Sequence, residues 1–151
     1  MTAPLLVFGW GNRSRGDDAL GPLFVEQLGA VMADAVARGE IELMDDYQLQ
    51  PEHALDLVGR QRVLFVDASL NCAAPFEVTA LQADTAPASV TTHALSPQAL
   101  LQVYRRLHDA RPPACTLLAL RGQAFELGEP PGAAALENLR KALDWAQTWC
   151  R

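Results

Sequence analysis

Short apolar runs and longer helix-period segments alternate along this chain. Leu5 to Phe8 is an uninterrupted apolar run of strand length and predicts a buried first strand. From Pro22 to Arg38, Val25, Leu28, Met32 and Val36 recur at helical spacing, which predicts one helix ended by Gly39. Ile41-Glu42-Leu43 alternates, predicting a second strand over 41–44 closed by Asp45-Asp46. Pro51 opens a short helix carrying Ala54, Leu55, Leu57 and Val58, since a proline's missing N–H is unused in a first turn. Val63 to Asp67 is apolar until its last residue, the pattern of a central parallel strand covered on both faces. Phe76 to Leu81 alternates and follows within ten residues. That gap is too short for a crossover helix, so it predicts an antiparallel edge strand. Ser96-Pro97 reads as N-cap and first residue of a helix bearing Leu100, Leu101, Tyr104 and Leu107, which Pro112-Pro113 ends. Cys115 to Leu120 is a further buried strand. After Pro130-Pro131-Gly132, a last helix presents Leu136, Leu139, Leu143 and Ala146 on one stripe, with Trp145 and Trp149 near its end.

The order β-α-β-α-β-β-α-β-α predicts an α/β protein, a three-layer α/β/α sandwich around a mostly parallel five-stranded sheet with one antiparallel edge strand. The 151 residues suffice for one domain, 1–151, with a substantial core. Half the residues are apolar and a fifth are charged, as in ordinary globular proteins. The net charge of −6 argues against a nucleic-acid partner, which calls for a basic face. Three cysteines, Cys72, Cys115 and Cys150, form no C-x-x-C pair and read as free thiols in a reducing cytoplasm. Neither a signal peptide nor a membrane span is expected.

The chemistry concentrates after the first strand, in Gly9-Trp10-Gly11-Asn12-Arg13-Ser14-Arg15-Gly16-Asp17-Asp18. A dinucleotide loop is excluded: the third glycine of G-x-G-x-x-G falls on Ser14, and Asp17 and Asp18 would face a pyrophosphate. Two carboxylates there suit a cation or a cationic substrate instead, although either acid is also a competent helix cap, Asp17 more readily than Asp18. Ligands of open α/β sheets bind beyond the carboxyl ends of the strands. Asp18 follows the first strand, Asp67 ends the third, and His93 lies in the loop after the edge strand. Together they make an O/N donor set for a borderline divalent ion such as nickel or zinc. Plainer readings stay open: a turn former for Asp67 and a surface residue for His93. No H-E-x-x-H motif is present, which excludes a zincin, and the absence of G-x-S-x-G argues against an α/β-hydrolase serine. His53 either lines the cleft or sits on the surface of its short helix; His108 reads as surface.

The opening G-W-G-N-R-S-R-G-D-D-A-L-G resembles the G-x-G-N-x-x-x-x-D-[DE]-x-x-G of the hydrogenase maturation endopeptidases. Val63-Leu-Phe-Val-Asp-Ala68 resembles that family's second segment, Thr91-Thr92-His93 its third, and Leu120 to Glu129 is also similar to members of it. The wording around Ser14 to Gly21 looks closest to proteases serving soluble NAD-linked hydrogenases. The resemblance implies an endopeptidase that trims the C-terminus of a [NiFe]-hydrogenase large-subunit precursor already loaded with nickel. It places both the catalytic and the metal-contacting roles on Asp18, Asp67 and His93. In some members the histidine lies beyond a Ser-Pro pair, an alignment that puts Gln98 there; His93 keeps a ligand-competent side chain. The nickel would belong to the substrate, and the protein is expected to be a cytoplasmic monomer. The alternatives are a non-catalytic checkpoint that grips the precursor without cutting it, and a peptidyl-tRNA hydrolase, against which the acidic charge speaks.

Overall fold

The structure, a computed structural model, describes residues 2–82 and 95–151. Five strands form its sheet: β1 (Leu5–Trp10), β2 (Ile41–Asp46), β3 (Arg62–Ser69), β4 (Phe76–Leu81) and β5 (Ala114–Arg121). Their spatial order is β2-β1-β3-β5-β4. All neighbours pair in parallel except β4, which runs antiparallel to β5 at the edge. The expected mostly parallel sheet with one antiparallel edge strand is therefore what the chain forms.

The apolar runs divide between the two faces of the sheet with period two. Leu5 and Val7 of β1, Leu64 and Val66 of β3, and Leu118 and Leu120 of β5 pack against α1 (Leu20–Val31) and α4 (Ala133–Trp149). Leu6, Phe8 and Trp10 of β1, with Val63 and Phe65 of β3, pack against α3 (Pro97–His108) and a 3-10 helix at Pro51–Leu57. Val63 to Val66 are fully buried, as a central strand covered on both sides must be. The result is three layers, with one apolar core above the sheet and one below.

The helix boundaries differ in places from those predicted. The segment expected as one helix from Pro22 to Arg38 begins at Leu20 and is interrupted at Met32, which leaves helical geometry with φ −107°. A second short helix, α2 (Ala33–Ala37), then places Ala35 in the core. Pro22 sits in the first turn of α1, where no N–H bond is lost. Gly39 ends the segment with φ +75°, in keeping with the expected stop. Ser96 caps α3 as predicted, its Oγ accepting from the Ala99 N–H at 3.1 Å. Leu107 and Leu136, expected on buried stripes, are exposed instead. Strand β2 extends to Asp46, and β3 runs two residues past Asp67 to Ser69 because β5 pairs with it as far as Arg121. Among the described residues, no helix is long and apolar enough to cross a membrane.

Candidate active site

Strands β1 and β3 are neighbours, but the chain leaves β1 for β2 on one side and returns to β3 on the other. Their carboxyl ends are thus a switch point of the sheet, the place at which open α/β sheets bind ligands. Asp18 and Asp67 lie on the two sides of it.

The turn from β1 to Asp18 depends on Gly11. Its φ is +148°, and a Cβ there would run into the backbone carbonyl of Asp18. Beyond it, the Asn12 N–H donates to Asp18 Oδ2 at 2.9 Å, and the Ser14 N–H donates to Asn12 Oδ1 at 2.8 Å. Asp18 belongs to a single 3-10 turn, Gly16–Ala19, which leads directly into α1. Its carboxylate is held by the backbone it follows, with one oxygen engaged by Asn12.

Asp67 is carried by the rigid centre of the sheet. Burial pushes its carboxyl up, and the neighbouring Asp18 carboxylate pushes it further, to about 7. The Ala68 N–H and the Trp10 side chain donate to it and hold it back in part. Asp18 and Asp67 are therefore electrostatically coupled: the Asp18 charge helps burial keep a proton on Asp67 up to near neutral pH. Trp10, the variable residue between Gly9 and Gly11, is a partner that the sequence pattern did not single out. It is almost fully buried, packs edge-on against Phe65 with ring centroids 5.9 Å apart, and is fixed in place beside Asp67.

Asp17 is not a ligand candidate in this geometry, and it caps no helix. Its side chain points away from α1 and accepts from Gln123, Ala124 and Gly132 N–H groups at 2.7, 3.1 and 2.8 Å. Burial works to raise its carboxyl, but these donors outweigh it and hold the group below the usual carboxylate range. His53 is neither on the surface nor free to bind a metal. It is buried beneath Phe8, its Nδ1 accepts from the Gln50 N–H at 2.9 Å, and its Nε2 faces Asp46 Oδ2 at 3.1 Å. With Nδ1 accepting, the ring proton lies on Nε2 and is donated to Asp46. His108 is half-buried against the Tyr104 ring, not a surface residue. Gln98 lies in the first turn of α3. His93, with Thr91 and Thr92, lies outside the described residues. Among the described residues no three His, Cys, Asp or Glu side chains form a metal-binding group, so the switch point presents the Asp18–Asp67 pair as its oxygen donors. The three cysteines are free thiols.

Several solved structures with the same fold are hydrogenase maturation proteases. The [NiFe] hydrogenase maturation protease HycI from Thermococcus kodakarensis KOD1 superposes with a TM-score of 0.70 at 20% identity, covering 95% of this chain and 90% of that one. The hydrogenase maturating endopeptidase HybD from E. coli gives 0.69 at 21% identity, covering 97% and 90%. The hydrogenase 2 maturation peptidase from Thaumarchaeota archaeon SCGC_AB-539-E09 gives 0.65 at 19%, covering 94% of each. At these identities the likeness is one of fold, and it spans nearly the whole chain. No protein-family model matches the sequence, and no curated protein matches it by sequence.

Proposed function

We propose that this protein is a processing endopeptidase that removes a C-terminal peptide from the nickel-loaded large-subunit precursor of a [NiFe]-hydrogenase. The observation that carries this reading is the coupled Asp18–Asp67 pair at the β1/β3 switch point. The fold shared with maturation proteases along almost the full chain supports it. Under this reading nickel arrives as part of the substrate. Asp18 and Asp67 offer it two oxygens, and His93 completes the set with an imidazole nitrogen. Carboxylates are apt donors for a test of loading, because an empty precursor brings no cation to offset their mutual repulsion. In the free protein the Asp67 carboxyl keeps its proton up to about 7; a nickel ion meeting it drives that proton off, and the carboxylate oxygen left uncoordinated is then the chain's general base toward water. The turn wording makes the precursor of a soluble NAD-linked hydrogenase the first substrate to try, with the protein acting as a cytoplasmic monomer.

The test is to mix the purified protein with a large-subunit precursor, with and without nickel, and to weigh the products by mass spectrometry. Loss of a defined C-terminal peptide from the loaded sample alone is the expected result. Asp18→Ala and Asp67→Ala should each abolish it while the fold persists, and cleavage at the wild-type rate by both variants would remove the site assignment. An intact but tightly held precursor would replace the protease with a checkpoint that binds without cutting.

A further inference from the structure

The segment between β5 and α4 does not hang free. It begins at Gly122, whose N–H donates to Ser69 O at the end of β3 at 2.9 Å, and it crosses toward the β1 turn. There it is tied repeatedly to residues 14–17. The Gly16 N–H donates to Glu129 O at 2.9 Å, the Asp17 N–H to Ala124 O at 2.8 Å, and the Gly128 N–H to Ser14 O at 2.7 Å. Arg15 Nε donates to Phe125 O at 2.8 Å. At the centre is the buried Asp17 carboxylate with its three N–H donors. The approach is so close that a Cβ on Gly122 would stand 2.9 Å from Asp17 Cβ. These bonds span more than a hundred residues of sequence and converge on the residue next to Asp18.

We propose that Asp17 is a positioning residue for the Asp18–Asp67 pair: by clamping the 122–132 strap onto the β1 turn it fixes where the Asp18 carboxylate points. The physical chain is short. A carboxylate accepting several charge-assisted N–H bonds is a stiff anchor. It pins the backbone of Gly16 and Asp17 on one side, while the buried Ala19 and Leu20 pin it on the other. Asp18 lies between these points, and its side chain is then met by the Asn12 N–H. Released from the strap, the 3-10 turn keeps its sequence but loses the reason to hold Asp18 at one angle.

The experiment is amide hydrogen exchange on the free protein in the presence of a chelator, comparing wild type with Asp17→Asn and Gly132→Pro. Asparagine keeps one acceptor oxygen, loses the charge, and turns its NH₂ group toward either the Gly132 donor or the Gln123 and Ala124 donors. Proline deletes the Gly132 donor and, because its ring Cδ takes the direction of the N–H, pushes the Asp17 carboxylate off that site, while the φ of −72° suits its ring. Asn12 supplies the deciding readout, because its N–H donates to Asp18 and not to Asp17 or a strap carbonyl. Exchange relative to the β3 core amides should rise about 10- to 100-fold at Gln123, Ala124 and Asn12 in Asp17→Asn, the loss of a charge-assisted bond. A rise at the same amides is expected in Gly132→Pro, because the Asp17 carboxylate is displaced. Faster exchange in the strap with Asn12 unchanged would overturn the proposal and leave Asp17 as a loop anchor only. If Asp17→Asn does not fold, Gly132→Pro decides by the same criterion.

A second arm rests on the endopeptidase reading. With nickel-loaded precursor, kcat of Asp17→Asn should fall about 100-fold with KM within threefold, as for a misplaced catalytic group. A rise in KM with kcat unchanged would overturn the positioning role. A wild-type protein that cuts nothing would defeat the endopeptidase reading, and exchange at Asn12 would still decide on Asp17.

Discussion

Asp67 is held in the fold at a measurable cost in stability. In the unfolded chain its carboxyl loses its proton near the ordinary value of 3.8, whereas in the folded protein it keeps the proton up to about 7. Below pH 4 both states are protonated and the site costs nothing. As pH rises from 4 to 7 the unfolded chain gains the free energy of ionisation and the folded protein does not, so stability falls; above 7 the loss is complete. About three pH units at 1.36 kcal/mol each put the full cost at about 4 kcal/mol. Asparagine has the shape of the protonated acid and no charge to desolvate. Asp67→Asn should therefore match wild type near pH 4 to within a constant offset, then gain on it steadily. By pH 7.5 the gap should reach about 4 kcal/mol, or about 10 °C in Tm for a chain of this size. The assay is urea and thermal unfolding at intervals of half a pH unit from 4 to 8, with chelator present so that no cation neutralises the pair. Two stability curves that run parallel across this range would refute the reasoning, because they would mean that the folded carboxyl titrates like an unfolded one.

The same coupling predicts that Asp18→Asn lowers the Asp67 carboxyl from about 7, read by carbon-13 NMR of the side chain, since it removes the charge that adds to the effect of burial. An unchanged titration would mean that burial alone sets it. For Asp17 the sign is opposite. Its folded carboxyl lies below the ordinary value, so its contribution is present above about pH 4 and is lost as pH falls further. Asp17→Asn should therefore flatten the acid limb of the wild-type stability curve. Ser96→Ala should cost about 1 kcal/mol in urea unfolding by removing the cap of α3. Leu139→Ala should cost about 2–5 kcal/mol, because the side chain is fully buried between α4 and the sheet.

Where local pattern and tertiary demand agree, the sequence was sufficient. The apolar run Val63 to Val66 can satisfy neither face of a half-exposed strand, and it lies at the centre of the sheet. The short gap before Phe76 leaves no length for a crossover, and β4 is antiparallel. Ser96-Pro97 carries its own cap chemistry, and α3 starts there. The glycine turn followed by acids was legible as the head of a site for the same reason: Gly11 is a local necessity, and Asp18 is met by the backbone of its own turn.

What the sequence by itself determined is thus the order of elements, the face each strand buries, and the strand ends at which acids collect. These follow from periodicity and from bonds between residues a few positions apart. The sequence pointed to Asp18 as the ligand and left Asp17 as a helix cap; tertiary structure alone decided what Asp17 does. The arrival of the 122–132 strap turns it inward as an anchor and leaves Asp18 beside Asp67. The same holds for Met32, where the helical period runs on through a break, and for His53, buried by Phe8 and paired with Asp46 across the end of β2. Coulomb repulsion, desolvation and long-range hydrogen bonds depend on distances that no spacing along the chain encodes, and the properties of the Asp18–Asp67 pair come from them.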